Sequence, residues 1–353
     1  MIALLYPKPV VKLKPNITDF SEDELKDWAQ QKNEKPFRVN QLLQWLYHHR
    51  ASSFDQMSNL SKDFRSKLSD FFSFQLPEIV KTQEADDGTI KFLQKLSDQS
   101  HIESVLLKHD DHNTLCISTQ VGCGMGCRFC LTGKMGLKRN LSSGEIVEQV
   151  LNAYRLIPPG ETIRNIVYMG MGEPFHNYDN TIKSLGTLLN PLGFDASARR
   201  ITVSTCGLIP EIKRFAREKF KANLAVSLNG VYEKDRQELM PINRKHSLED
   251  LIGACRELTY EFKNRVTFEY VLLDEVTDSL VAAKKLVGLM HGIRSKINLI
   301  AFNEHPDLEY RSSTPENARR FQRYLLDHGL LATIRTPRGN NIHAACGQLA
   351  GNS

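Results

Sequence analysis

The sequence of 353 residues predicts an α/β fold in which a parallel sheet is covered by helices. From residue 114 onward, apolar strand candidates alternate with helix candidates in a series of strand–helix units, a pattern typical of parallel sheets. The strand candidates are nearly continuous apolar runs, as expected for strands buried on both faces. In parallel α/β barrels, the carboxyl ends of the strands carry the active site. Polar residues lie at or just past these strand ends: Gln120, Glu173, Ser204, Ser227, Asn229 and Asn303.

The first part of the chain predicts a small helical domain. Residues 21–24 read Ser-Glu-Asp-Glu, which is a capping box that begins a helix. Apolar side chains then follow helical spacing through residues 39–46 and again through residues 64–72. Pro77 closes this region, so we expect the helices to end before it.

The rest of the chain predicts two short strands and then the alternating units. Asp-Asp-Gly at 86–88 is a hairpin turn signal, and strands are predicted after it at 89–96 and 102–107. The later strands are predicted at 114–120, 165–174, 200–207, 223–230, 266–273, 297–305 and 331–337. The helices between them are predicted at 143–156, 178–191, 211–220, 247–262, 278–291 and 315–328. We therefore divide the chain into a helical N-terminal domain (1–76), a strand-rich extension (77–113) and a barrel domain with a C-terminal cysteine segment (114–353).

The composition favours a globular protein of the cytoplasm. Apolar residues make up 41% and charged residues 25%, which predicts a buried core and excludes a disordered chain. The net charge of +5 permits a nucleic-acid partner without requiring one. The apolar run at the N-terminus is broken by Pro7 and Lys8, so it is too short for a signal peptide or a membrane span. We expect no membrane association.

Three of the seven cysteines lie in one glycine-rich loop, GCGMGCRFCLTG, at residues 122–133. The spacing is C-x3-C-x2-C, formed by Cys123, Cys127 and Cys130. Cysteine thiolates bind zinc or iron–sulfur clusters. Three thiolates in one loop would leave one iron of a four-iron cluster open to a substrate or cofactor. Glycines let the backbone wrap closely around a cluster and point N–H groups at its sulfurs.

Two other interpretations of the loop stay open on the residues alone. A structural zinc site needs four ligands and usually shows a second cysteine or histidine pair, which does not follow here. Cys116 could be a fourth zinc ligand. The three cysteines could also be free and buried, although their spacing and the glycines disfavour this.

The cysteine loop and several further motifs resemble a known family. C-x3-C-x2-C after a first barrel strand is similar to the radical S-adenosylmethionine (SAM) superfamily. The wider set resembles the adenine-C2 methyltransferases of 23S rRNA and tRNA, from about residue 34 to the C-terminus. The motifs that carry this resemblance are CISTQVGCGMGCRFCLTGKMGLKRNL, MGMGEP, VSTCG, LAVSLN, MPIN and RGNNIHAACGQLAG.

The resemblance implies a partial (β/α)6 radical SAM barrel with a small helical N-terminal domain, and it implies two cofactors. Cys123, Cys127 and Cys130 would hold a [4Fe-4S] cluster, whose open iron would bind the amino and carboxylate groups of SAM. Two SAM molecules would be used in each turnover. The positions that match SAM contacts of the family are Gly172, Glu173, Ser204, Ser227, Leu228, Asn229 and Asn303. Asn229 is a departure, because many members have histidine there, but asparagine can still form hydrogen bonds.

The resemblance also implies two catalytic cysteines and a catalytic carboxylate. Cys346 matches the cysteine that carries a methyl group, and Cys116 matches the one that resolves a covalent enzyme–RNA adduct through a disulfide. Carbon 2 of adenine lies between two ring nitrogens and is too electron-poor to attack the methyl group of SAM. A thiolate is a good nucleophile and can take that methyl group first. Glu103 matches a residue that would accept the proton of carbon 2. On the residues alone, Cys346 is a buried small side chain and Glu103 a polar strand position.

The partners implied are 23S rRNA, tRNA and a flavodoxin-type electron donor, and the family is expected to be monomeric. Phosphate contacts need positive charges, and the N-terminal domain would add an RNA-binding surface. Basic residues cluster near the predicted mouth: Lys134, Lys138, Arg139, Arg199, Arg200, Arg244, Lys245, Arg335 and Arg338.

Two rival functions remain at this point. An adenine-C8 rRNA methyltransferase of the antibiotic-resistance type would share the cluster and both cysteines. Its members tend to have alanine after the glutamate of MGMGE, where this chain has Pro174. The other rival is a zinc-stabilised RNA-binding module without catalysis, which does not account for Gly-Glu-Pro after a strand.

Overall fold

The computed structural model describes residues 14–261, 265–335 and 337–351. The apolar run at the N-terminus, interpreted above as too short for a signal peptide, lies mostly outside these residues. Within the described ranges, no helix combines the length and the apolar character needed to cross a bilayer. The helices are α1 (Glu22–Gln31), α2 (Phe37–Leu43), α3 (Lys62–Phe71), α4 (Leu131–Lys134), α5 (Ser143–Ala153), α6 (Tyr178–Leu189), α7 (Ile209–Arg217), α8 (Glu233–Leu239), α9 (Leu248–Glu261), α10 (Leu280–Met290) and α11 (Pro315–Asp327).

In the described ranges, ten strands form one sheet and two more form a hairpin. The strands are β1 (Glu78–Glu84), β2 (Ile90–Lys95), β3 (His101–Lys108), β4 (Asn113–Cys116), β5 (Gln120–Cys123), β6 (Gly136–Asn140), β7 (Ile163–Tyr168), β8 (Ile201–Thr205), β9 (Asn223–Ser227), β10 (Val266–Leu272), β11 (Ser295–Ala301) and β12 (Ala332–Arg335). The order in the large sheet is β1-β2-β3-β4-β7-β8-β9-β10-β11-β12, while β5 pairs with β6. The sheet is open, with β1 and β12 at its edges.

In the large sheet, β4 and the strands from β7 to β12 are parallel, and this confirms the predicted α/β class. β4 pairs with β7, and each later strand of the sheet is parallel to its neighbour. β1 to β4 are antiparallel and extend the sheet beyond the barrel strands. The parallel arrangement brings the carboxyl ends of six or more strands to one edge, where the loops can build a common site.

The N-terminal helices have their own hydrophobic cluster, which includes Trp28, Leu42 and Phe64. Helix α5 belongs to both parts of the molecule, because its Val147 and Leu151 pack in this cluster while the opposite side of the helix packs in the barrel core. Aromatic and aliphatic side chains at helical spacing therefore build the cluster in the way the sequence predicts.

A buried carboxylate reinforces the contact between the N-terminal helices and α5. Oε1 of Glu148 accepts hydrogen bonds from Nδ2 of Asn16 at 2.6 Å and from Oγ1 of Thr18 at 2.7 Å. Oδ1 of Asp19 accepts the backbone N–H of Gly144 in the first turn of α5, at 2.8 Å. Burial raises the pKa of Glu148 to about 7, although its two hydrogen bonds oppose that shift.

The amino-acid pattern did not predict five of the elements described above, namely β1, β5, β6, α4 and α8. β1 is an exposed edge strand, and its apolar residues are too few to stand out. The hairpin of β5 and β6 and the short helix α4 surround the cysteine loop. Glycines in these elements interrupt the apolar spacing that would predict a strand or a helix. α8 lies in a predicted loop, because its sequence, EKDRQEL, is largely polar.

Candidate active site

The cysteine loop begins at the end of β5 and ends at the start of α4, so two elements fix its ends. Cys123 is the last residue of β5, and Cys130 directly precedes α4. Gly122 has φ 78°, and a Cβ there would lie 1.9 Å from the backbone oxygen of Gly136 on β6. A Cβ on Gly133 would lie 2.9 Å from the backbone oxygen of Cys127. The loop therefore folds back on itself at distances that only glycine permits.

Cys123, Cys127 and Cys130 are half-buried, and all three line one cavity of about 160 Å³. Burial raises the pKa of Cys123 to about 12 and that of Cys127 well above its usual value, and it also raises the pKa of Cys130. Because burial disfavours free thiolates here, three thiolates at this place need a positively charged group between them. A four-iron cluster would meet that need.

Among the described residues, no three His, Cys, Asp or Glu side chains form a ligand shell around a single ion. This arrangement is compatible with a cluster, because each cysteine then binds a different iron atom and the sulfurs stand further apart than the ligands of one ion. The three thiols fit the cluster that the sequence predicts.

The residues predicted to contact SAM come together at the same cavity, with one exception. The cavity is lined by the three loop cysteines and by Gly172, Glu173, Ser204, Ser227, Asn229 and Asn303. Leu228 does not line it; its side chain is fully buried in the barrel core. Leu228 directly follows β9, and its backbone N–H donates to the backbone oxygen of Glu269 on β10 at 2.9 Å.

Glu173 is held by backbone amides from two sides. Its Oε1 accepts the N–H of Phe175 at 3.1 Å, and its Oε2 accepts the N–H of Cys206 at 2.8 Å. Its own N–H donates to Oε1 of Gln120 at 2.9 Å. Burial raises its pKa, and the two amides act in the opposite direction by binding the ionised form. Gly172 has φ 99°, so the turn that presents Glu173 depends on glycine.

Asn229 and Asn303 each hold a backbone group beside the cavity. Asn229 has φ 51°, a left-handed conformation that asparagine tolerates, and its Oδ1 accepts the N–H of Val271 at 3.0 Å. Nδ2 of Asn303 donates to the backbone oxygen of Cys346 at 3.2 Å. Among the described residues, Oδ1 of Asn303 is buried and has no hydrogen-bond partner, so it is an acceptor left for a ligand in this cavity.

A second cavity, of about 350 Å³, brings the two predicted catalytic cysteines together. Cys116 and Cys346 both line it, and Cys346 also lines the first cavity. The thiol of Cys346 therefore stands between the two spaces. Cys346 is exposed, not buried as its residue type alone suggested, and Cys116 is half-buried. Desolvation by the surrounding protein raises the pKa of Cys346 and also that of Cys116, the latter to about 12. The remaining walls are mainly apolar: Val105, Leu107, Val167, Met169, Pro337 and Leu349.

The positive charge of Arg335 acts on the thiols of both Cys116 and Cys346. Its positive charge lowers the pKa of Cys116 and of Cys346 and so opposes the effect of burial. Arg335 lines the second cavity, whereas the sequence analysis placed it in the basic cluster at the mouth. Arg139, another member of that basic cluster, forms ion pairs with Glu145 and Asp98.

Glu269 is a buried acid at this site that the sequence analysis missed. It lies inside β10, lines the first cavity and is 7% exposed. Its Oε1 has no hydrogen-bond partner within the part of the chain that the structure describes. Burial raises the pKa of Glu269, while the charge of Arg335 lowers it. The sequence does carry a signal for Glu269, because it is a charged residue within the apolar strand VTFEYVLL.

Glu103 does not line either cavity, unlike the two cysteines. It lies on β3, 2% exposed, and its Oε1 is 3.1 Å from Nζ of Lys91. Val105 and Leu107, which lie on the same face of β3, do line the second cavity. The prediction that Glu103 accepts a proton stays a prediction.

Two family models match the chain, and together they cover most of the described structure. Residues 15–73 match the ribosomal RNA large subunit methyltransferase N-terminal domain. Residues 117–287 match the radical SAM superfamily. The first match coincides with the N-terminal helical cluster, and the second includes the cysteine loop.

Relatives and a solved structure are similar over nearly the whole chain. The dual-specificity RNA methyltransferase RlmN of Syntrophotalea carbinolica is 46% identical over 95% of this chain and 90% of that protein. The protein of the same name from Geobacter sulfurreducens is 46% identical over 95% of this chain and 92% of its own. A crystal structure of a radical SAM methyltransferase from Sphaerobacter thermophilus has a TM-score of 0.92 and 42% identity, covering 96% of this chain and 100% of the other.

Proposed function

Since the chain belongs to the RlmN family of radical SAM RNA methyltransferases, we propose that it methylates carbon 2 of adenosine in RNA. The substrates are one adenosine of 23S rRNA and the adenosine 3′ to the anticodon in tRNA, as the dual specificity of the relatives suggests. The observation that supports this most is Cys346, whose thiol stands between a cavity lined by three further cysteines and a cavity lined by Cys116.

The first cavity is proposed to hold the [4Fe-4S] cluster and SAM. Cys123, Cys127 and Cys130 would bind the cluster, and Gly172 with Glu173 would hold the amino group of SAM. Bound together, reduced cluster and SAM supply a radical that removes a hydrogen atom from a nearby carbon. The unpartnered Oδ1 of Asn303 supports this placement, because a buried acceptor needs a donor from a ligand. Ser204, Ser227 and Asn229 complete the polar walls on the side of the parallel strand ends.

In the first step that we propose, the thiolate of Cys346 attacks the methyl carbon of SAM, and S-adenosylhomocysteine leaves. The first cavity and the thiol of Cys346 are contiguous, so the sulfur can reach a methyl group held there. The charge of Arg335 favours the thiolate, which is the nucleophilic form. The methylthioether then carries the one-carbon unit into the second cavity.

In the second stage, the methyl carbon of Cys346 loses a hydrogen atom and bonds to carbon 2 of an adenine in the second cavity. One electron would pass from the adduct radical back to the oxidised [4Fe-4S] cluster, and the carbon-2 proton would pass to a base, which restores the aromatic ring. The thiolate of Cys116 attacks the sulfur of Cys346, the bond from that sulfur to carbon breaks, and a proton completes the new methyl group. The disulfide must be reduced before the next turnover. Both cysteines line the same cavity, as this exchange requires.

The apolar second cavity suits a base extruded from folded RNA. Its volume of about 350 Å³ is within the usual range for small-ligand sites, and Val105, Leu107 and Met169 offer apolar contacts. Extrusion of a base costs a few kcal/mol. We propose that the N-terminal domain, residues 1–76, offsets this cost by binding RNA. We also propose a cytoplasmic monomer that receives electrons from a flavodoxin-type donor.

The test is mass spectrometry of nucleosides from rRNA and tRNA incubated anaerobically with reconstituted protein, a reductant and methyl-labelled SAM. Label in 2-methyladenosine is the expected result, and the RNA pool that carries it identifies the substrate. Cys346→Ala should give no labelled RNA under the same conditions. Label in 8-methyladenosine, or label with Cys346→Ala, would overturn the proposal.

A further inference from the structure

Arg236 lies in α8 and is fully buried, which is rare for a charged side chain. Nε of Arg236 donates to the backbone oxygen of Leu228 at 3.0 Å, and Nη2 donates to that of Cys206 at 2.8 Å. Nη1 donates to Oδ1 of Asn243 at 2.6 Å. Among the described residues, the hydrogen bonds of this guanidinium therefore all go to uncharged oxygens.

The turn between β9 and α8 brings Arg236 to this place. The chain leaves β9, passes Gly230 and enters α8, so that the first turn of the helix packs against the strand end. A Cβ at Gly230 would lie 2.9 Å from Cβ of Arg236, so the close approach depends on glycine. Nη2 of Arg236 also donates to the backbone oxygen of Ser227 at 3.4 Å. The guanidinium thus joins the ends of β8 and β9, where Cys206 and Ser227 line the first cavity.

The end of α8 contacts the cysteine loop. The backbone N–H of Arg128 donates to the backbone oxygen of Leu239, the last residue of α8, at 3.0 Å. Met240, the next residue, lines the first cavity together with Cys127 and Cys206. The guanidinium of α8 therefore lies one hydrogen bond away from a wall of the cavity that the three loop thiols line.

A buried cation without a carboxylate beside it is costly unless a negative charge lies nearby. Burial lowers the pKa of Arg236, and the thiols of Cys206 and Cys127 and the carboxylate of Glu233 oppose that shift, in this order. Glu233 is connected to Arg236 through Asn243, whose Nδ2 donates to Oε2 of Glu233 at 2.5 Å. Because arginine stays charged in proteins, this positive charge faces the thiols permanently.

We propose that Arg236 is a positioning residue of the cluster site, and that its positive charge compensates the anionic cluster and raises its reduction potential. This inference rests on the proposed function for the [4Fe-4S] cluster in the first cavity. A four-iron cluster held by three thiolates has a net negative charge, and one electron from the donor makes that charge more negative. A nearby cation therefore stabilises the reduced form more than the oxidised form.

A purely structural role of Arg236 leads to a different expectation. If the guanidinium only joins β8 to β9, its loss lowers the stability of the fold and leaves the reduction potential of the cluster unchanged. If its charge acts on the cluster, the potential falls even where the fold is kept. Coulomb's law for a unit charge about 10 Å away, with an effective dielectric constant of about 20, gives a change on the order of tenfold in the reduction equilibrium.

Arg236→Gln and Arg236→Lys form a matched pair, because glutamine removes the charge and lysine keeps it. The experiment is a redox titration of the reconstituted full-length protein without SAM or RNA, followed by electron paramagnetic resonance of the reduced cluster. We expect Arg236→Gln to lower the equilibrium constant for reduction about tenfold, which is about 59 mV for one electron. Arg236→Lys should stay close to the wild type. Arg214→Gln is the control, because Arg214 is 53% exposed and its charge is screened by solvent.

A double variant tests the charge with the packing preserved, in case Arg236→Gln does not fold. Glu233→Gln with Asn243→Asp exchanges an amide and a carboxylate, so the hydrogen bond between them persists with donor and acceptor reversed. Oε1 of Glu233 accepts the backbone N–H of Leu248 at 2.7 Å, and a glutamine oxygen can still accept it. The net charge of the protein is unchanged, but a carboxylate now contacts the guanidinium. We expect this variant also to have a lower reduction potential than the wild type.

The proposal is overturned if the double variant keeps the wild-type potential, or if Arg236→Lys lowers the potential as much as Arg236→Gln. A wild-type protein that binds no iron after reconstitution would overturn this inference together with the proposed function. An intact cluster without methylation of RNA would refute the proposed function alone, because the potential is measured without RNA.

Discussion

Gly172→Ala tests whether the turn before Glu173 depends on close backbone contact. The φ of 99° lies in the region that residues with a Cβ rarely adopt. A Cβ at this position would lie 2.5 Å from Cβ and 2.8 Å from the backbone nitrogen of Gln120, which is fully buried. Backbone cannot move away as the end of a side chain can, so the turn itself would have to shift.

The expected cost combines backbone strain with overpacking. Strain at a left-handed residue is about 1–3 kcal/mol, and insertion of a methyl group into a packed site adds about 1–3 kcal/mol. We therefore expect Gly172→Ala to lower the free energy of unfolding by about 2–6 kcal/mol, a large part of the usual total of about 5–15 kcal/mol. The shift would also disturb the hydrogen bond from Glu173 to Gln120.

The assay is urea unfolding of the reduced protein, followed by iron and sulfide analysis after reconstitution. Gly253→Ala is the matched control, because a Cβ at Gly253 in α9 would meet no atom within 4 Å. Alanine in that helix should leave the free energy of unfolding unchanged or raise it by about 1 kcal/mol. Equal stability of Gly172→Ala and the wild type would refute the steric reasoning.

Three further predictions follow from the electrostatics and the thiols. Glu148 stays protonated up to a pH of about 7 in the native state, but only up to its ordinary pKa of 4.5 in the unfolded state. The free energy of unfolding should therefore fall by about 3 kcal/mol as the pH rises between these two values. Glu148→Gln should remove that fall in pH-dependent urea titrations; a persisting fall would contradict the assignment. Arg335→Gln should move the pH profile of Cys346 methylation to higher pH, since the cation that lowers the thiol pKa is gone. Arg338→Gln is its control, because Arg338 donates to the backbone oxygen of Lys108, and an identical profile in both variants would refute the role of Arg335. Cys123→Ser should bind less iron after reconstitution than Cys255→Ser, whose thiol lies buried in the barrel core; equal iron in the two would contradict the ligand assignment.

The parallel strands were predictable because each is a continuous apolar run followed by a helix pattern. Predicted strands such as 165–174 extend beyond the observed Ile163–Tyr168, since the residues past a strand end continue its apolar character into the site loops. The hairpin of β5 and β6 was not predictable. Its strands are short, and its glycines serve close contacts that leave no hydrophobic pattern.

The candidate site was partly predictable from the rule that parallel strand ends build active sites. Glu173, Ser204 and Asn303 lie at such ends and line the first cavity. The rule could not find Glu269, which lies within a strand, or place Arg335 inside a cavity, because both depend on how distant segments pack. The C-terminal segment that carries Cys346 has hydrogen bonds with residues more than 200 positions away, and no local pattern reports them.

The central claim is that Cys346 carries the methyl carbon to RNA and that Cys116 releases it. The most direct test is to isolate the Cys116→Ala protein after anaerobic reaction with RNA and SAM. Mass spectrometry of protease- and nuclease-treated protein should find an adenosine joined through one carbon to the sulfur of Cys346. Cys206→Ala, altered at a thiol that lies outside the second cavity, should show no such adduct. A Cys116→Ala enzyme that releases methylated RNA at the wild-type rate, with no adduct on Cys346, would contradict the account.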